Sequence, residues 1–477
     1  MENGKKSTSR RGGKRRTRAQ LKSQDCTLGL DIVHPKAAGI DVGNQEHWVA
    51  VPAYLDPEPV RCYGCFTSDL TEMARWLVGL GIETVAMQST GVYSIALYDI
   101  LERQGIRVYL VNARDTRNLP GRKTDVAECQ WLLKLHVYGL LRNSFRPAEE
   151  VYVMRTYWRQ RQQHLSDSSR CVQRMQKALT QMNVQLANVI SDITGTTGQA
   201  IIRAMLKGQR DPRQLAELCT PWIQASKEAV AASLEGNWRE ELLFVLGQEF
   251  GLYEEFQRRI GECDRALAKY FKQIPEKADP QSLGPVRRDK RAHGNVPENM
   301  DLRQQLYRIS GVDLTAIDGI NVLTAQTILA EVGADMSQFA TEGHFVSWLG
   351  LSPNNKVSGG KVIGRERRKT VNRAALGLRM AATTLLRSQT YLGAQYRRLR
   401  SKLGAPKAIK AMANRLARIA YRMLKHGEAY VDKGTAYYEQ RYRDQQFRML
   451  SKKAQELGFQ RVWDINVDQA ASARELQ

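Results

Sequence analysis

The sequence has no apolar run of about 18 residues, which a membrane-crossing helix would need, and no signal-peptide pattern behind its basic start. A cytoplasmic, nucleoid-associated location, with no membrane partner, is therefore expected. Cysteine is sparse: seven thiols, at 26, 62, 65, 129, 171, 219 and 263, lack the dense, even spacing of a disulfide framework and should be reduced. Cys62 and Cys65 form one C-x-x-C, half of a zinc site, but no second Cys/His pair stands at a usual spacing, and two ordinary strand residues are the competing reading. Acid is short as well. Against 72 Lys and Arg there are only 49 Asp and Glu, a formal charge of +23. Solubility alone does not require such an excess; a polyanion does, and nucleic acid is the commonest one.

What is present is organised in blocks along the 477 residues. Residues 1–30 form a basic arm without apolar period, expected to be disordered when free. Over 31–147, "AAGIDVG", "HWVAVPAYL" and "VRCYGCF" read as three successive strands. "SDLTEMARWLVGLG" then reads as a helix capped by Ser68 or Asp69, "IETVAM" as a strand, "TGVYSIALYDILERQG" as a helix, "IRVYLVN" as a strand and "DVAECQWLLKLHVYGLL" as a helix. That β-β-β-α-β-α-β-α order is the order of an RNase H-like domain. Residues 148–278 turn long, charged and helical in period, a helical or coiled-coil arm serving as spacer or dimer contact, with direct nucleic-acid binding the competing reading. A Pro/Gly-rich linker or loop covers 279–300, a mostly helical region covers 301–430, and a polar helical tail covers 431–477. The fold class is thus α/β plus α.

Three acids stand out in the first block. Asp41 ends the first strand, where a carboxylate at a buried strand tip needs a cation, water or hydrogen bonds. Asp125 and Glu128, three apart on a helix, face the same side and can share a cation. The competing reading makes Asp125 the N-cap and Glu128 the returning member of a capping box. An RNase H-like sheet brings the first-strand tip and the start of the last helix together, with Arg122 and Lys123 beside them. Magnesium, which takes oxygen ligands and phosphate oxygens, suits such a set. The end of the fourth strand offers Gln88, a neutral carbonyl oxygen. Glu83 or Glu46 could compensate for its missing charge, although Glu83 lies an odd number of residues away. Tyr93 reads as a helix residue packed against the sheet.

In the later region, "LTAIDGINVLTAQTILAEVG" places a tight turn containing Gly319 between two helical segments, a helix-hairpin-helix-like element whose backbone N–H groups can bind phosphate. Then "NNKVSGGKVIGRERRKT" sets Ser358 beside Gly359 and Gly360, amid Lys356, Lys361, Arg365, Arg367, Arg368 and Lys369. The glycines allow a backbone to approach closely, and the cations can neutralise a phosphodiester and its transition state. An ordinary Ser-Gly-Gly turn is the competing reading. His344 is the nearest histidine and reads as structural, so no general base is evident. Farther on, the basic amphipathic stretch "YRRLRSKLGAPKAIKAMANRLARIAYRMLKH" can follow a phosphate backbone or be a solvated helix face.

Taken in order, "GIDVG", "VAMQSTGVY", "GRKTDVAECQWLLKLHVYGLL", "IDGIN" and "WLGLSPNNKVSGGK" resemble the DEDD transposases of the insertion-sequence 110 family, closest to its 1111 subgroup, which includes the pilin-gene inverting recombinases. The resemblance spans about residues 35–430. It implies a RuvC-like domain, a helical connection and a C-terminal transposase domain with a catalytic serine. It also implies magnesium held by the acidic set, a covalent phosphoserine intermediate and a composite centre assembled across protomers of a dimer or tetramer on DNA. A structured noncoding RNA would guide the choice of target and donor. Asp41, Asp125 and Ser358 match the motif; Gln88 stands where the family has glutamate, and Glu128 where it has aspartate. Two rivals remain: a RuvC-like nuclease using water, with Ser358 only a turn residue, and a catalytically weakened nucleic-acid-binding derivative.

Overall fold

Strand β1 (Ala37–Val42) is buried almost throughout, because both faces of its sheet are covered, and its sequence is accordingly apolar without alternation. It pairs antiparallel with β2 (Glu46–Ala50), which pairs antiparallel with β3 (Val60–Gly64). After helix α1 (Thr67–Gly79), strand β4 (Thr84–Gln88) returns parallel to β1; after α2 (Ser94–Arg103), β5 (Arg107–Val111) lies parallel to β4. The sheet order is β3-β2-β1-β4-β5, and α3 (Asp125–Val137) follows the last strand. This is the RNase H-like arrangement.

The structure is a computed structural model that describes residues 31–88, 91–112, 116, 124–285, 294–366 and 372–456. By contacts the chain divides into two units, 1–146 and 147–477. The basic arm, the end of the tail, Arg122, Lys123, Arg367, Arg368 and Lys369 lie outside the described residues.

One face of the first unit's sheet, carrying Ile40, Val49, Val85 and Met87, packs against Leu70, Met73, Leu77, Leu97 and Leu101 of α1 and α2. Burying each such side chain contributes about 1.5–3 kcal/mol, which fixes strand register along with the core. Helix α1 starts at Thr67, earlier than the Ser68 or Asp69 cap expected; Asp69 instead accepts the Phe66 backbone N–H at 3.2 Å from inside the first turn.

In the second unit, α4 (Glu149–Gln181) and α8 (Glu240–Phe271) form a long antiparallel pair. Between them, α5 (Thr196–Leu206), α6 (Pro212–Ala216) and α7 (Lys227–Ser233) build a tip with its own core around Met175, Ile201, Leu215 and Leu246. The buried Arg161 of α4 forks onto Asp264 of α8, a charged pair that tolerates only one register of the two helices. Helix α9 (Leu302–Ser310) ends on Gly311 in the left-handed conformation and leads to α10 (Val322–Val332). Arg155 and Arg159 of α4 pair with Glu331 of α10, and Trp158 donates to Thr327 at 3.1 Å.

Beyond α11 (Glu342–Trp348) the chain forms a two-stranded ribbon, β6 (Asn354–Ser358) and β7 (Lys361–Glu366), within a region expected to be mostly helical. Four helices complete the described chain: α12 (Arg373–Thr384), α13 (Tyr391–Leu403), α14 (Ala405–His426) and α15 (Gly434–Glu456). Glu342 of α11 pairs with Arg418 and Arg422, which holds α11 on α14. Among the described residues no helix is long and apolar enough to cross a membrane.

Candidate active site

Two contacts fix how α3 lies on the sheet. Near its C-terminus, His136 Nε2 is 2.8 Å from the Thr84 hydroxyl, and Thr84 sits opposite Ala37, the first residue of β1. Farther back, a Cβ on Gly39 would collide with the Cys129 carbonyl and the Leu133 amide, so α3 backbone rests directly on β1 at that glycine. Helix α3 therefore runs antiparallel to β1, and its first turn lies toward the strand end that carries Asp41. Gly39 and Asp41 are two apart, so both face α3.

Asp125 and Glu128 occupy that first turn, but Asp125 is not the cap. Thr124 is, its hydroxyl accepting the Ala127 N–H at 3.2 Å. Asp125 is exposed and Glu128 half-buried. Both acids also favour the positive end of the helix dipole. The Cys129 thiol between helix and strand is pushed up to about 12, first by burial, with the Asp41 and Asp125 carboxylates adding to the effect. Burial likewise raises Cys62, whose thiol donates to Glu46 at 3.6 Å, with Asp125 contributing more weakly.

Gln88 lies one residue past the Ile40–Met87 pairing, on the strand next to Asp41. Its amide nitrogen donates to the Thr116 hydroxyl at 3.3 Å, while the Thr116 carbonyl accepts from Trp131 Nε1 of α3 at 3.3 Å. The carboxamide is thus held from the nitrogen side. Neither Thr116 nor Trp131 carried a sequence signal for this role. Of the two possible compensating acids, Glu83 lies just before β4, at the end of the strand opposite Gln88, and pairs with Lys36 at 3.3 Å. Glu46 lies on β2 two residues from Trp48, the partner of Asp41, and so shares the α3 face. Tyr93 is the residue just before α2, not within it, and is 49% exposed. Among the described residues, no three His, Cys, Asp or Glu side chains are gathered closely enough to hold a metal ion. Asp41, Asp125, Glu128 and Gln88 themselves offer only oxygens, donors that suit a hard dication.

Ser358 closes the β6/β7 ribbon opposite Lys361, with Gly359 and Gly360 between them at φ 54° and 74°. Two consecutive positive φ values make the tight hairpin turn whose twist matches its strands, which accounts for both glycines. Ser358 is exposed, and Lys361 opposite and Lys356 two residues back share its face of the ribbon. A bulge at Ile363 interrupts the pairing, and Val357, Val362 and Ile363 are 60%, 51% and 70% exposed. Arg365 lies on β7 opposite Asn355. His344, exposed in the first turn of α11, gives its N–H to the capping Thr341. The 319 turn is also built from packing: Gly319, at φ 84°, lies against the Ala381 carbonyl of α12, where any side chain would collide. Only a single 3-10 turn, Leu314–Ala316, precedes it in place of the first helical segment expected.

Residues 38–184, spanning the sheet, α3 and α4, match a transposase family, the DEDD transposases of IS110. Residues 313–397, which include the serine ribbon, match the transposase IS116/IS110/IS902 family. The chain belongs to the IS110 family of transposases. No curated protein matches it at a significant level. As an IS110-family transposase it is a DNA-processing enzyme, and the two matched stretches contain every acidic candidate and Ser358. Helices α14 and α15 lie beyond both.

Proposed function

We propose that this transposase cuts and rejoins DNA through a covalent intermediate on Ser358, with Asp41, Asp125, Glu128 and the Gln88 carbonyl as ligands of a magnesium ion. The observation that carries this reading is Ser358 at the tip of an exposed ribbon, with two lysines on its own face. A phosphate lying between Lys356 and Lys361 is presented to the serine oxygen with its charge partly neutralised. In the step, Ser358 Oγ forms a bond to phosphorus as a deoxyribose oxygen leaves; the hydroxyl proton passes to solvent or to that oxygen. Attack by a deoxyribose hydroxyl of the new strand reverses the step and releases the serine. When bound, magnesium supplies further neutralisation of the phosphate. The acidic edge and the ribbon act together on DNA within a dimer or tetramer, and a structured noncoding RNA selects the sites by base pairing.

The test uses purified protein, the element's RNA, magnesium and a labelled junction of element ends. Wild type should give a protein–DNA band that survives denaturant, and Ser358→Ala should lose that band while still binding DNA. Cleavage without a band would assign hydrolysis by the acidic edge instead. Binding with neither band nor cleavage would leave a nucleic-acid-binding derivative.

A further inference from the structure

At the end of the second matched stretch and beyond it, α13 and α15 enclose a groove of about 490 Å³ lined by Arg397, Arg398, Ser401, Lys402, Tyr438 and Tyr442, with Glu439 the one acid on its wall. The tyrosines are fixed. Tyr438 stands edge-on to Tyr391 with ring centres 5.0 Å apart, and the Arg398 guanidinium lies over the Tyr442 ring. The connection before α15 is tied down too, since Asp432 accepts the N–H groups of Tyr391 and Gly434 at 3.1 and 3.2 Å. Arg397 is anchored on the Ser388 carbonyl at 2.6 Å, which leaves Arg398 and Lys402 exposed at the rim. Among the described residues, neither of these two forms an ion pair.

We infer that this groove binds an unpaired nucleic-acid strand, with Arg398 and Lys402 on its phosphates and a base stacked against the Tyr442–Arg398 pair. Cations lining a channel together with rigid aromatic faces are what an unstacked base requires, whereas a duplex keeps its base faces inside the stack. The inference rests on the chain's dealings with nucleic acid and not on Ser358 or the acidic edge, so binding alone tests it.

Fluorescence anisotropy of the full chain with 20-nucleotide U and T strands and a 20-base-pair duplex, over a salt series, provides the measurement. Tyr442→Ala should weaken single-strand binding by about 5-fold or more, the range of one lost base stack, and Tyr442→Phe should restore it. Arg398→Gln with Lys402→Gln should flatten the salt slope for a single strand by about 0.7 for each phosphate lost. Lys177→Gln, an exposed lysine on α4, should change little. Tighter binding of either U or T strands supports the inference and names the source of the strand. Unchanged single-strand affinity in both groove variants, or an equal loss for duplex, overturns it.

Discussion

Gln88 brings a neutral oxygen to an edge where the other ligand candidates are carboxylates, and the direction of that one change can be worked out. Its amide nitrogen is held by Thr116, which leaves the carbonyl for a cation but supplies no charge. Gln88→Glu should therefore tighten divalent-ion binding, lowering the magnesium needed for half-maximal strand cleavage by roughly tenfold, the lower end of what ligand-shell changes produce. Titrating cleavage against magnesium in both proteins checks this; an unchanged midpoint would remove position 88 from the metal site. Asp125 makes the complementary point. Because Thr124 caps α3, the Asp125 carboxylate is not explained by helix capping. Asp125→Asn should leave the helix intact and lower cleavage.

Helix α3 reaches the acidic edge because β1 has a glycine where the helix backbone crosses it. Gly39→Val would push side-chain atoms into the Cys129 carbonyl and Leu133 amide, and backbone there cannot yield without lifting the helix. The expected cost is about 1–3 kcal/mol of stability, read from urea unfolding, together with loss of cleavage as Asp125 and Glu128 leave Asp41. Wild-type stability and cleavage in this variant would show that the seat is not needed. The β6/β7 ribbon is an element of another kind. Its "VSGGKV" has the Gly-Gly signature of a two-residue hairpin, but the flanking strands are short and rich in charge, and the long helices on either side dominate the local pattern.

For the whole molecule, two units imply two separable responses. His136 is buried against Thr84, with the rings of His34 and Tyr109 each 4.7 Å away, and burial lowers its pKa from 6.5 to about 4, the nearby His34 adding to the shift. An imidazole that must stay neutral in the fold stabilises it above pH 6.5, and that contribution is lost as pH falls from 6.5 through about 4. Melting followed between pH 7 and 4 should therefore show a transition of the first unit that His136→Gln makes less sensitive to acid; an identical acid response in the variant would count against it. The sequence by itself determined the charge that calls for a polyanion, the strand and helix order of the RNase H-like unit, and the acids and serine worth testing, because periodicity and motif spacing are local properties. Tertiary structure decided which of those residues meet: that α3 lies antiparallel on Gly39, that Glu46 shares the Asp41 face while Glu83 does not, that Gly319 is a packing glycine, and that Ser358 closes an exposed ribbon. Those outcomes depend on contacts between segments far apart in the chain, and burial and backbone collision, which set them, exist only once the chain has folded.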